Sequence, residues 1–306
     1  MQAMQQLQWR DMFDIAVKWR RIADPDQPVL WLDQMPARSL SRGFNNHINL
    51  IRGQIINIRY MEYFGSILNF IKERILVYHG AYNPRGLQDV KQALENVNKV
   101  EDLLPIMKFN SKTRDGFTVN SKVPSTKDPG KEYDGFTITI TGDRVGNMLF
   151  SVETQTTEER TQQYQSEIEA LYKDLTAKGK ALMLSSELGD ADAVCNLILS
   201  LVYYFCNLMP LSRGSSIVAY SVVMGALMAS GKEVVGRIPS GKLVDFEAMT
   251  TPSLDRFSKT TKSWMNLKSL PSWYQNLPSV AETFQFSRTM IEVLNTDSST
   301  HCPKKS

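Results

Sequence analysis

Residues Ala193–Lys232 read AVCNLILSLVYYFCNLMPLSRGSSIVAYSVVMGALMASGK, and Arg213 is the only charge between Asp192 and Lys232. Two uncharged segments flank the connector Met-Pro-Leu-Ser-Arg-Gly-Ser-Ser. A helix that is apolar all round must be covered on every side. The stretch therefore predicts a buried central helical hairpin over 193–231. Ser221, Gly225 and Ala229 recur at four-residue spacing, and this small stripe is expected to let another helix approach closely. The competing use is a membrane-inserted helical hairpin, because residues 193–212 are uncharged over about the length of a bilayer span. Asn196, Ser200, Asn207, Pro210 and two tyrosines dilute that apolarity, and the flanks lack a strong positive bias.

The connector carries the chemistry. A Gly-Ser-Ser that opens a helix leaves backbone N–H groups free, and the adjacent arginine adds positive charge. Arg213, Gly214, Ser215 and Ser216 thus form a candidate cradle for a phosphate or carboxylate. The alternative is ordinary capping, with Arg213 paired to an acid such as Asp192.

Upstream, the period changes from helix to strand. Phe136-Thr-Ile-Thr-Ile-Thr141 alternates apolar and threonine, and 142–147 turns it into a returning segment 148–153. This predicts a β-hairpin over 136–152 with one covered face. Ser121 to Gly135 reads as an exposed loop, and Gly43 to Gly53 as loop-like. Helical spacing marks 7–22, 63–75 and 87–104. Thr156-x-x-Glu159 matches a capping box for a helix that Gly179 should end. Pro28 to Leu32 reads as a short strand, and 254–267 and 280–294 read as closing helices.

The fold class that follows is α+β and mostly helical, with a small antiparallel sheet. Residues 1–153 form an N-terminal α+β lobe, 154–294 a C-terminal helical lobe, and 295–306 a disordered tail. The two lobes are expected to pack as one unit. A chain of 306 residues can bury a substantial core. Against 32 Asp and Glu stand 35 Lys and Arg, and a net charge of +3 is too small to predict nucleic-acid binding. Cys195 and Cys206 would lie about 16 Å apart on one helix, too far for a disulfide. The three histidines are scattered singly, so neither a metal nor any other cofactor is expected.

Trp9, Trp19 and Trp31 stand beside Arg10, Arg20 and Arg21. They read either as a partner-binding face, carried by Trp9, Arg10, Arg20 and Arg21, or as core tryptophans with solvated arginines. The start of the chain reads as a helix already under way. It has no leader, which favours a soluble intracellular setting and suggests that an N-terminal part is missing.

Two resemblances bear on function. WRDMFDIAVKWRRIADPDQPVLW (9–31), DPGKEYDGFTITITGDRVGN (128–147), FSVETQTTEERT (150–161), 207–234 and GKLVDFEAMT (241–250) resemble the C-terminal region that follows the repeats in a tetratricopeptide-repeat family. That family is similar to a plant suppressor of effector-triggered immunity. The resemblance implies a scaffold whose partners are other proteins, and it implies no reaction. Met209 to Ile217, between two helices, resembles the active-site loop of Fic-type nucleotidyl transferases, His-Pro-Phe-x-Asp/Glu-Gly-Asn-Gly-Arg. Pro210 and Gly214 match. Met209 stands where the catalytic His belongs, Arg213 replaces the metal-binding acid, and Ile217 replaces the phosphate-binding Arg. A thioether cannot act as a general base, and an arginine cannot hold magnesium.

The reading that follows is a non-enzymatic protein-interaction module. The alternatives are a diverged Fic-like nucleotidyl or phosphoryl transferase, or a pseudoenzyme that binds a nucleotide or phosphate. The transferase reading expects a pocket between the turn and the 136–152 hairpin, with Arg213 facing it.

Overall fold

The computed structural model describes residues 7–35, 47–53, 55–77, 95–98, 102, 116–142, 148–185, 188–251, 253–269 and 278–295. The expected helix 87–104 lies largely outside these, as does the tail from residue 296. The observed class is α+β and mostly helical, with two short 3-10 turns at Leu32–Gln34 and Ile58–Tyr60.

A five-stranded antiparallel sheet is built from β1 (His47–Gly53), β2 (Ile55–Ile56), β3 (Gly116–Pro124), β4 (Glu132–Gly142) and β5 (Met148–Thr154) in the order β2-β1-β5-β4-β3. The expected hairpin is β4–β5, with Ile138 opposite Val152 and Ile140 opposite Phe150. Two expectations are corrected. Gly43–Gly53 is not all loop, because β1 pairs along β5 from His47 to Gly53. The loop over 121–135 is shorter than expected, because β3 runs to Pro124 and β4 begins at Glu132. Both strands were hidden because a register shift breaks their alternation, between Asn49 and Ile51 in β1, where Leu50 and Ile51 are both buried, and between Asn120 and Lys122 in β3. The β3–β4 register shifts between Asn120 and Lys122. There the Phe136 amide donates to Ser121 Oγ at 2.8 Å. A Cβ on Gly135 would stand 2.1 Å from that oxygen, so the bulge requires glycine.

The apolar sheet face packs on α2 (Met61–Val77) through Tyr63, Phe64, Ile67 and Leu68, all buried. Met209, Phe246 and Met249 join the same cluster from the C-terminal half. A larger cluster surrounds α4 (Leu188–Leu208), which lies against α3 (Glu158–Ser185), α5 (Ser215–Ala229), α6 (Val244–Thr250) and α7 (Leu254–Met265). Residues 201–209 are buried without interruption, which is why this helix carries no polar face. The N-terminal half feeds the same cluster: α1 (Trp9–Ala23) stacks Phe13 on Phe205 with centroids 4.0 Å apart. The remaining elements are a β6 (Lys232–Val234) and β7 (Leu267–Ser269) ribbon, α8 (Val280–Thr283) and α9 (Ser287–Asn295).

The hairpin itself differs from expectation on one side. Val218, Ala219, Val222, Val223 and Leu227 bury one face of α5. Ser221, Gly225 and Ala229 lie on the exposed face, and a Cβ on Gly225 would meet nothing within 4 Å. The small stripe therefore faces outward instead of receiving another helix of this fold. No helix among the described residues is long and apolar enough to cross a membrane. α3 does not stop at Gly179 but continues to Ser185. An interior glycine costs only about 1 kcal/mol, so it does not by itself end a helix. Its cap is Thr157, whose Oγ1 accepts from the Arg160 amide at 3.3 Å, one residue later than the capping-box pattern placed it.

Candidate functional site

Between α4 and α5 the chain turns through Met209–Gly214, and four separate contacts fix that turn. Arg160 donates to the carbonyls of Asn207 (2.6 Å) and Leu208 (3.2 Å), neutralising the carbonyl end of α4. Met209 then adopts a positive φ of 50°, a conformation that costs a non-glycine residue on the order of 1 kcal/mol. The extended segment that the sequence marked at 28–32 forms no full strand. It makes a single bridge, Trp31 to Leu211, flanked by Leu32 N to Pro210 O (2.9 Å) and Ser212 N to Leu30 O (2.8 Å). Gly214 enters α5 at φ 71°, and a Cβ there would lie 3.2 Å from Val29 Cγ2. Conformation and space both demand glycine at this point.

Gly214 offers no side-chain cap, so the first amides of α5 remain available. They open on a cleft of about 460 Å³ lined by Arg213, Gly214, Ser215 and Ser216 together with residues from three distant segments. The first segment brings Arg20 and Gln27. β1 and the 3-10 turn bring Asn49, Asn57, Arg59 and Tyr60, and the start of α6 brings Leu243 and Asp245. Arg213 does line a cleft, but it is not the expected one between the turn and the 136–152 hairpin: its opposite wall is β1 and the 57–60 turn. β1 covers β5, and its pairing separates the hairpin from the turn.

Arg213 is exposed, and its hydrogen bond goes to Gln27 Oε1 at 3.5 Å. It does not meet Asp192, which sits about 24 Å away by helical rise toward the other end of α4. Arg59 is likewise exposed, while Arg20 is tied to Asp24 at 2.7 Å. The carboxylate among the lining residues is Asp245, 9% exposed. Burial pushes its carboxyl above the usual range, against the Phe246 amide, the Ser216 hydroxyl and Arg59, which all favour ionisation. Ser216 Oγ also accepts from the Val244 amide at 3.0 Å, and Tyr63 Oη donates to the Leu243 carbonyl at 2.9 Å. These bonds hold the start of α6 against the cleft. The Asn49 Oδ1 atom is buried with no partner.

The chemistry available is anion recognition: the exposed guanidinium groups of Arg59 and Arg213 beside the uncapped start of α5, with one carboxyl whose pKa is raised by burial. The lining residues include no histidine, and Met209 is 6% exposed in the sheet-side core. Among the described residues no group of three or more His, Cys, Asp or Glu is placed to hold a metal. One expectation follows for Asp245→Asn. Removing a unit charge of opposite effect should strengthen sulfate binding about five-fold, the equivalent of roughly 1 kcal/mol of repulsion. In the unmodified chain the affinity should rise as pH falls through the raised Asp245 pKa, because protonation removes the same charge. Calorimetric titration of both proteins between pH 4 and 8 checks this, and an equal pH slope in the two would refute it.

The other candidate face does not stand open. Trp9 is buried, Arg21 is 8% exposed and donates through Nε to the Val29 carbonyl at 2.5 Å. Arg10 stacks over Trp31 at 4.2 Å and grips Asp33 with two bonds of 2.6 and 2.8 Å. Arg20 is paired as above. Trp9, Arg10 and Arg21 brace α1 against the segment that holds the turn, while the Arg20 pair stays within the end of α1. Sequence reasoning missed Arg59, Asn49, Asn57, Tyr60 and Asp245 as site residues. The one legible signal was Asp245 itself, an acid inside the apolar run Leu243-Val-Asp-Phe246.

No protein-family model matches the chain. The resemblance read from the sequence to the C-terminal region of a tetratricopeptide-repeat protein holds. The chain is 80% identical over 300 residues to tetratricopeptide repeat protein 13 of Homo sapiens, a match covering 98% of this chain and 35% of that protein. It is 28% identical over 301 residues to suppressor of RPS4-RLD 1 of Arabidopsis thaliana, covering 95% of this chain and 28% of the relative. The chain thus spans about a third of the length of these relatives.

Proposed function

We propose that the chain is a non-catalytic recognition module, the C-terminal domain of a tetratricopeptide-repeat scaffold, and that it receives an anionic group in the cleft beside the 209–217 turn. One observation carries this reading: Arg59 and Arg213 line one cleft together with the uncapped start of α5. The side chain at the position resembling a catalytic histidine is a core methionine, whose thioether cannot act as a general base. The repeats that such relatives carry support a protein-binding setting for the module, with the cleft adding recognition of a phosphate or carboxylate.

Thermal unfolding of the purified chain with nucleotides, nucleotide sugars and inorganic phosphates tests this. Ligand at 100 times its Kd should add about 2.7 kcal/mol of stability, and Arg213→Ala should abolish the gain. Silence across the panel, with both proteins folded, would overturn the anion site. Turnover of any panel member would overturn the non-catalytic reading.

A further inference from the structure

We propose that the anionic group is the headgroup of an acidic phospholipid, and that the lip formed by Arg52 and residues 55–61 contacts the membrane surface. This rests on the cleft being an anion site, and it adds where the anion is presented.

The lip connects β1 to α2. Ile55 is 77% exposed, Ile58 83% and Met61 39%, with the exposed arginines Arg52 and Arg59 flanking the isoleucines in sequence. On the facing lip Ile217 is 50% exposed, one helical turn beyond Arg213. The isoleucines point outward by construction. The Asn57 amide donates to the Leu50 carbonyl at 2.8 Å, and Asn57 Oδ1 accepts from the Arg59 amide at 3.3 Å, which pins the turn between Ile55 and Ile58. Asn49 and Asn57 line both the cleft and the apolar depression along this lip, so the two surfaces are continuous.

Projecting apolar side chains beside an arginine-rimmed cleft match the chemistry of an interface between headgroups and acyl chains. Ile55 and Ile58 are widely exposed along this shallow depression, where the boundary between headgroups and acyl chains can surround them. Of the acids nearby, Glu62 follows the lip in sequence, Asp245 lines the cleft with its pKa raised by burial, Asp24 is paired with Arg20 and Glu247 with Lys242. The contact differs from a membrane span, for which no described helix qualifies.

The experiment is co-sedimentation of the full 306-residue chain with phosphatidylcholine vesicles, with and without phosphatidylserine and phosphatidylinositol 4-phosphate. A parallel arm measures thermal stabilisation by soluble inositol hexakisphosphate. The expected result is sedimentation only with acidic vesicles, weakening with salt. Ile55→Asp/Ile58→Asp should lose at least about ten-fold in vesicle partition while keeping the soluble ligand. Arg59→Glu and Arg213→Glu should each lose about five-fold or more in both arms. Stabilisation by inositol hexakisphosphate with no sedimentation would overturn the membrane proposal, leave the cleft standing, and turn attention to a soluble phosphate or an acidic peptide. Sedimentation indifferent to the isoleucines would also overturn it. Failure of both arms would remove the cleft reading as well.

Discussion

Arg160→Met should destabilise the chain by about 2–5 kcal/mol, read as a lower urea midpoint, because two buried carbonyls lose their donor at about 1–3 kcal/mol each. Arg160 is 3% exposed, and it spends its guanidinium on four backbone carbonyls: Asp134 (2.7 Å), Gln155 (3.2 Å), Asn207 and Leu208. It also lies over the Tyr164 ring at 4.5 Å. Burial lowers its pKa, against the nearby Tyr164 and Asp134, yet a guanidinium stays charged at any ordinary pH. Methionine fills much of the space but donates nothing, so the end of α4 loses its only described positive partner. Asp134 O retains the Tyr164 hydroxyl at 3.0 Å, whereas the carbonyls of Asn207 and Leu208 do not recover an equivalent donor. Because these two carbonyls lead directly into Met209, the variant should also weaken anion binding in the cleft, even where it remains folded. Arg160→Lys keeps the charge with fewer donors and should fall between the two proteins. A midpoint unchanged in both variants would refute the role.

The second large effect is expected at Glu167, which is fully buried and serves as the anchor for the loop between β3 and β4. Its carboxylate accepts from Ser125 Oγ, the Thr126 and Lys127 amides, and Tyr133 Oη at 2.8 to 3.1 Å, and from Thr126 Oγ1. Burial alone would raise its pKa, but the hydrogen bonds from Thr126, Ser125 and Tyr133 outweigh it and hold the carboxyl below its ordinary value. The sign is therefore that of a depressed acid. Its stabilisation is fully present above the unfolded value, about 4.3, and is lost as pH falls through the lower folded value. Glu167→Gln replaces an acceptor with a donor facing Ser125 and Tyr133, at a cost of about 2–3 kcal/mol near pH 7. Below the folded pKa the difference between the two proteins should shrink. Denaturation at pH 7, 4 and 3 checks this, and a gap that stays constant with pH would refute it.

Much of the helical core was legible because burial leaves a mark on composition. Residues 201–209 carry no charge since every neighbour is protein, and β4 alternates since one face meets α2. β1 was not legible, because His47 to Gly53 gains its strand character only from pairing along β5. Nor was the fate of the Ser221–Gly225–Ala229 stripe. Small residues suit both a tight helix contact and a bare surface, and spacing alone does not choose between them.

The site divides along the same line. Arg213, Gly214, Ser215 and Ser216 were readable because they are contiguous, and because an uncapped helix start after glycine has a local signature. Arg59, Asn49 and Asp245 were not, since each comes from a separate segment whose own sequence serves strand, turn or helix. Arg160 looked like one more surface charge in a helix's first turn, and only the tertiary fold takes it out of water and sets it against the carbonyls of another helix. The sequence by itself determined an uncharged helical hairpin, a covered β-hairpin and an arginine-glycine-serine turn, all of them properties of local pattern. The tertiary structure decided what faces that turn, which arginines stay free for a ligand and which are consumed as internal braces. Charge partners are chosen by distance in space, and the order of residues along the chain does not record it.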